Sequence, residues 1–388
     1  MKPRRCRRTF RKCVRKGVWV CGGLPTTTTI TLRERMRAAG RRVFATGRVR
    51  HTKRRCRGVL PGVGLALTVA GVCSAQTMRA SPLQWVPFLH LPGVVDLSGA
   101  RHDGSLTVTA GGQLFLFQPS GRLLTFARGP GGYATSPGAE AYLALARRQR
   151  VPGAHCAFRR DDVYALEVAR PGVVVVDASG KAWPFAALPE GTFPNGITFD
   201  EVGRFGHRLL VTAAVDGATN VYAIDCRGRV RTVAEQAPRA EGGIAVAPRS
   251  FGRYAGQLIA PDEVGGVIVA IDARGRASTV IVSGLASGGD IGVESVGFVP
   301  DRFGPRGSAF LADRGTPGNP HPGTDSILRL AGDGLVSAGV HSGDLLVATE
   351  GGAHTIAVRC RRACTVFRIA DGPAVAHAEG HIVFARGR

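Results

Sequence analysis

VVVVDASGKAWPFA, residues 173–186, reads as an apolar strand, a tight polar turn and a second strand. The same pattern recurs as LFLFQPSGRLLTFA at 114–127, VYAIDCRGRVRTVA at 221–234 and VIVAIDARGRASTV at 267–280. Two looser copies follow, ILRLAGDGLVSA at 327–338 and IAVRCRRACTVFRIA at 356–370. Each copy predicts an antiparallel hairpin whose turn uses Gly, Asp or Ser to reach the required backbone angles. The chain holds 54 glycines and 23 prolines among many short apolar runs. That composition suits an all-β protein rich in turns and excludes a disordered chain.

A further strand precedes the hairpins. It reads Glu140–Leu145, Asn195–Phe199, Glu241–Val246 and Glu294–Val299, and once more, at the C-terminus, Glu379–Phe384. The fifth unit is the weakest, with Leu335–Val340 as its expected opening strand. The last copy has no hairpin after it, and the strands at 105–110, 113–118 and 122–127 lack an opening partner. Units of about fifty residues with four strands each predict a β-propeller. The expectation is six blades of four antiparallel strands over 101–388, with the last strand closing the first blade. A β-sandwich predicts neither the repeated hairpins nor a C-terminal strand that belongs with the N-terminus.

Of the net charge of +23, +19 lies in residues 1–58, where Glu34 is the single acid. The remainder is close to balanced, so the whole-chain charge is not a nucleic-acid footprint of the fold. The basic segment has three readings: a nucleic-acid arm, a long export leader, or upstream sequence included by an early start codon. Its cysteines, Cys6, Cys13, Cys21 and Cys56, lack metal-like spacing. Lys53, Arg54, Arg55 and Arg57 then precede the apolar run Val59–Val72 and the small residues Cys73, Ser74 and Ala75. This is the pattern of a secretory signal over 59–76, too short for a membrane span. Residues 77–100 are expected to be a linker. Export implies an oxidising compartment and a secreted mature protein, which is expected to be a monomer. Cys360 and Cys364 flank a short turn and are either bridged or two free thiols, whereas zinc is disfavoured.

Strand parity places possible chemistry. The starts of the opening strands and the loops between second and third strands share one face. That face gathers Glu140, Asn195, Glu241, Glu294 and Glu379 near the axis. Around them fall Asp216, Asn220, Asp262, Glu263, Asp313, Glu350 and His354. Converging oxygens suit a hard cation such as Ca²⁺, which can polarise a carbonyl or activate water. The same acids can equally bond loop backbones or pair with arginine. The Pro- and Gly-rich loop 313–325 offers Asn319 and His321 as a rim over the mouth or as plain surface. His381, beside Glu379, and Glu294 are candidate bases. No nucleophile elbow, phosphate-binding loop or His-Glu-x-x-His motif is present.

The stretch Phe193-Pro194-Asn195-Gly196-Ile197-Thr198-Phe199-Asp200, followed by LLVTAAVDGATNVYAID, resembles the senescence-marker-protein/gluconolactonase family and the related NHL and strictosidine-synthase-like propellers. The resemblance implies that Asn195 is an axial ligand of a divalent metal, with Glu140 or Glu379 as its acidic partner. Glu241 and Glu294 stand where that family has amides or Asp. The expectation is a secreted, metal-dependent hydrolase of lactones or similar small esters acting on a small molecule, with no nucleic-acid partner. The alternative is a non-catalytic propeller that recognises protein or carbohydrate at the cell surface.

Overall fold

The computed structural model describes residues 81–387. The basic segment 1–58 and the export signal expected over 59–76 lie outside the described residues. The chain opens with β1 (Leu83–Gln84) and β2 (Val86–His90). A first four-stranded antiparallel sheet is built from β3 (Val94–Ser98), β4 (Leu106–Ala110), β5 (Gln113–Phe117) and β6 (Leu123–Phe126). After β7 (Leu143–Leu145) comes a small hairpin, β8 (Arg150–Val151) and β9 (Cys156–Ala157). A second sheet joins β7 to β10 (Val163–Glu167), β11 (Gly172–Val176) and β12 (Ala182–Ala187). The third runs through β13 (Phe193–Phe199), β14 (Leu209–Val215), β15 (Ala218–Ile224) and β16 (Val230–Ala237). The fourth runs through β17 (Ala245–Val246), β18 (Leu258–Asp262), β19 (Val267–Ile271) and β20 (Ala277–Val282).

The remaining strands are β21 (Val293–Phe298), β22 (Ser308–Asp313), β23 (Ser326–Ala331), β24 (Leu345–Thr349), β25 (Thr355–Cys360), β26 (Cys364–Asp371) and β27 (Ala378–Ala385), with helix α1 (Gly332–Ser337) after β23. Together with β1 and β2 they form one nine-stranded sheet, ordered β1-β26-β25-β24-β21-β27-β22-β23-β2. Its two halves meet through a single parallel pair, Val296 against His381. The chain therefore crosses from one half to the other and back.

The hairpin turns explain the repeat. Asp177, Asp225 and Asp272 each accept hydrogen bonds from backbone N–H groups two and four residues on. Gly228 and Gly275 sit at φ 78° and 82°. An added Cβ there would come within 2.2 and 2.3 Å of the Phe185 and Val233 carbonyls in the outer strand of the preceding sheet. The turn glycine thus serves both the local reversal and the packing of one sheet on the next.

The core is a circle of layers between neighbouring sheets. Leu114 and Leu143 belong to one layer, Tyr164 and Leu209 to the next, then Val221 and Leu258, then Ile259 and Val347. Leu311 and Ala357 share another, and Phe310 and Ile327 pack on Leu97, Leu106 and Phe117 to close the circle. The Phe117 and Phe310 rings meet edge-on at 5.1 Å across that closure. The molecule is all-β, with small antiparallel sheets in a propeller-like arrangement.

Three expectations are corrected. The run ILRLAGDGLVSA is not a hairpin: β23 ends at Ala331, and Gly332–Ser337 turns into α1. Leu335 is fully buried there among Leu330, Trp85 and Ile369, so Leu335–Val340 packs as helix and turn and opens no sheet. Next, the described part of the expected linker, residues 81–100, is not a linker, because it contains β1, β2 and β3. Finally, the C-terminal strand does not complete the first sheet. That sheet has its own inner strand, β3, and β27 lies beside it, with the His381 N–H donating to Asp96 at 2.7 Å. The ends still meet, since β2 pairs with β23 as the outer strand of the half that holds β27.

Candidate functional site

Glu140 and Tyr142 lie just before β7, where the Tyr142 N–H donates to the Glu140 carbonyl, and His377 lies just before β27, two residues from Glu379. The Tyr142 hydroxyl lies 2.6 Å from Glu379 and 3.2 Å from Glu294. Arg314, which follows β22, donates to Glu140 at 2.6 Å and to Glu379 at 3.0 Å. His377 Nε2 lies 2.7 Å from Glu350 and 3.4 Å from Glu379. Glu263 shares a hydrogen bond with Glu350. A connected chain of polar groups therefore spans the mouth, from Glu263 through Glu350, His377, Glu379 and Tyr142 to Glu294.

Burial sets the protonation of these groups. Burial, reinforced by the charges of Glu379 and Glu241, pushes Glu294 well above the usual carboxylate range. Burial and then the Glu350 hydrogen bond carry Glu263 up to about 8. At Glu379 burial works the same way, but the His377 hydrogen bond and the Arg314 charge outweigh it and hold the group ionised. Burial alone would lower His377, yet hydrogen bonds to Glu350 and Glu379 raise it to about 10. The mouth thus holds two neutral carboxyls, an imidazolium and a guanidinium among its ionised acids. The phenol has one proton, given to Glu379 at the shorter contact, so neutral Glu294 can donate its own to the phenolic oxygen.

The sequence-predicted residues divide. Glu140, Glu294 and Glu379 converge as expected, and Glu263 and Glu350 join them. Glu241 pairs with Arg239 at 3.2 Å, and its charge bears on Glu294. Asn195 is buried, its amide donating to the Ala240 carbonyl, while its Oδ1 has no partner. Asp313 is buried and accepts from the His377 backbone and from Thr324, so it holds loop 313–325 in place.

The others serve local structure. Asp262 caps its own turn at Gly265. Asn220 bonds Tyr222 and Gln236. Asp216 is an exposed turn residue at φ 49°. Asn319 caps His321, whose ring meets the Ala374 carbonyl. His354 pairs with Asp371.

His381, expected as a base, is corrected. Its ring is held by the buried Asp96 at 3.0 Å and by the backbone of Ile197 and Ile244. Asp96 also accepts from Leu143 N at 2.7 Å. The pair ties β3, β7, β13 and β27 together and leaves the ring no free nitrogen. Sequence reasoning missed Tyr142, Arg314 and Asp96, and it assigned His377 no role. The i, i+2 spacing from Glu140 and Glu379 was the available signal for Tyr142 and His377.

Glu350, His377 and Glu379 each offer a ligand atom, all within 4.8 Å of one another. All three residues are buried. One imidazole and two carboxylates are a donor set that fits a divalent cation, with the unpartnered oxygen of Glu263 one bond further out. The all-oxygen set expected from the sequence is not assembled as such, because Arg314 lies between Glu140 and Glu379. Among the described residues no helix is long and apolar enough to cross a membrane.

No family model matches the chain, and no curated protein matches it. Its fold is similar to a streptogramin B lyase structure at 12% identity, covering 74% of this chain and 72% of that one, with a TM-score of 0.43. It is also similar to the calcium-binding protein regucalcin from Agrobacterium tumefaciens at 13% identity, covering 75% and 80%, with a TM-score of 0.43. A nidogen/laminin complex gives 13% identity over 75% and 84%, again with a TM-score of 0.43. At these values the likenesses carry neither a ligand nor an activity to this chain, which is similar to all three and assigned to none.

Proposed function

We propose that the chain is an exported, metal-dependent hydrolase of lactones or similar small esters, with the acidic mouth as its active site. The nine-stranded sheet counts as two blades in this reading, β21-β24-β25-β26 and β27-β22-β23-β2, so the propeller has six. The observation that carries the proposal is the close approach of Glu350, His377 and Glu379 beside the neutral carboxyl of Glu294. The three would hold a divalent cation, which when bound polarises a carbonyl oxygen. An imidazole in the set favours Mn²⁺ or Zn²⁺ over the Ca²⁺ that oxygen ligands alone would suit.

The chain's own residues supply the rest. Glu294 holds the proton that a departing alkoxide needs. Tyr142 fixes the position of Glu294 against Glu379. Arg314 orients Glu379 and Glu140. Loop 313–325, pinned by Asp313, borders the mouth, which admits the water whose oxygen forms the new acyl bond and whose proton passes to one of the ionised acids. The bridges Cys156–Cys226 and Cys360–Cys364 suit an oxidising compartment and support export.

The test is metal content of the purified protein, followed by turnover of a panel of five- and six-membered lactones with and without chelator. Bound metal and chelator-sensitive hydrolysis are expected. Protein that takes up no Mn²⁺ or Zn²⁺, or whose hydrolysis ignores the chelator, overturns the proposal. One observation favours the second reading, a non-catalytic module for carbohydrate or protein: Arg314 and the His377 imidazolium already offset charge in the mouth without a metal. That reading predicts ligand binding with no turnover, unchanged by Glu294→Gln.

A further inference from the structure

The end of the molecule opposite the acidic mouth is basic. Inner strands begin at the mouth, so the loops that follow them lie at the far end. The loop ARRQRVPGAHCAFRRDD, 146–162, carries Arg147, Arg148, Arg150, Arg159 and Arg160, all exposed. The corresponding loops 200–208, 247–257 and 299–307 add two arginines each. The exposed acids of these four loops are Glu201 and Asp301, and Glu201 is already paired with Arg147 at 3.0 Å.

The loop 146–162 is held firmly. β8 pairs with β9, and Cys156 is bridged to Cys226, between β15 and β16 of the next sheet. A recess of about 350 Å³ is framed by Arg147, Arg148 and Arg150, with Glu201 and His207.

We infer that this face docks on a bilayer surface rich in anionic phospholipid headgroups, leaving the acidic mouth turned to solution. Three observations select that partner. The arginines are spread over the loops of successive sheets, not gathered into one groove, so they match a broad plane better than a single polymer strand. Guanidinium forks suit phosphate oxygens. The loops also offer few stacking platforms of the kind single-stranded nucleic acid uses: Phe158, Phe205, Phe251 and Tyr254 are buried, and the half-buried Phe303 packs edge-on against Phe384. Each basic residue near an anionic bilayer adds a modest, salt-screened attraction, so the effect comes from the array.

The test uses the full chain with vesicles of phosphatidylglycerol and phosphatidylcholine, against vesicles of phosphatidylcholine alone. Hydrogen exchange should slow in loops 146–162, 200–208 and 247–257 on the anionic vesicles, and raised salt should reverse it. The variant R148E/R150E/R159E/R160E should bind more than about a hundredfold more weakly. The variant R249E/R253E/R302E/R306E tests the neighbouring loops independently should the first not fold. Protection confined to residues 1–58 or to loop 313–325 overturns the inference, as does unchanged binding by folded variants. Protection of these loops by duplex DNA or heparin but not by the vesicles would identify a soluble polyanion and equally overturn it.

Discussion

Arg314 is the residue on which the charge balance of the mouth turns. Its side chain is 14% exposed and serves both Glu140 and Glu379. Arg314→Met leaves two carboxylates without their partner and should cost about 3 kcal/mol, read by denaturant titration. Glu294→Gln makes the opposite point. The group is neutral in the fold but ionised in the unfolded chain at neutral pH, so the amide, which takes up no proton on folding, should raise stability at pH 7 and change it little at pH 4. Lactone hydrolysis should fall by about a hundredfold or more, because an amide cannot donate the proton. His377 gives a pH dependence. Its pKa rises from 6.5 in the open chain to about 10 in the fold. The stability it adds is complete below pH 6.5 and is lost as pH climbs through about 10. Metal-free protein should therefore melt progressively lower over that window, and His377→Gln should flatten the decline. These roles were half legible beforehand. The glutamates announce themselves as strand starts, but Arg314 reaches them only because β22 belongs to the sheet half beside the axis, and no local spacing reveals that.

At the scale of elements, the hairpins were the most legible feature, because one Asp and one Gly per turn carry both the reversal and the packing contact. What escaped was context. β3 is short, VVDLS, and has no glutamate start to match its counterparts, so nothing local marks it as an inner strand. α1 has the same apolar residues a strand would have, and only the buried place of Leu335 decides the matter. The two disulfides should differ in weight. Cys156–Cys226 closes a separation of 70 residues and Cys360–Cys364 one of 4. Chain-entropy reasoning gives about 4 kcal/mol for the first and about 2 kcal/mol for the second. Paired Cys→Ser variants, compared by denaturant titration, should keep that order.

For the whole molecule, the closure by β2 depends on Trp85. The indole is 2% exposed, and its N–H donates to Thr355 at 2.8 Å. The Trp85 backbone N–H bonds Asp371 at the end of β26. Trp85→Ala should cost about 3–5 kcal/mol. It should also raise hydrogen exchange in β23 and β26 together, since both halves of the large sheet lean on the same N-terminal segment. The chain ends meet, but not by the expected closure: β2 pairs with β23, and the C-terminal strand completes no part of the first sheet.

The crossing of the chain between the two halves of the nine-stranded sheet has a consequence for timing. As the polypeptide emerges, β21 waits without a partner while β22 and β23 are made for the other half. Glu379, which anchors the polar chain, arrives only with the final strand. A nascent protein short of that strand has most of its sheets and an incomplete mouth. Such late assembly is slow, because its pairings join distant parts of the chain. For a polypeptide proposed to cross a membrane before it folds, that slowness is an advantage: the ring cannot lock while the tail is still on the wrong side.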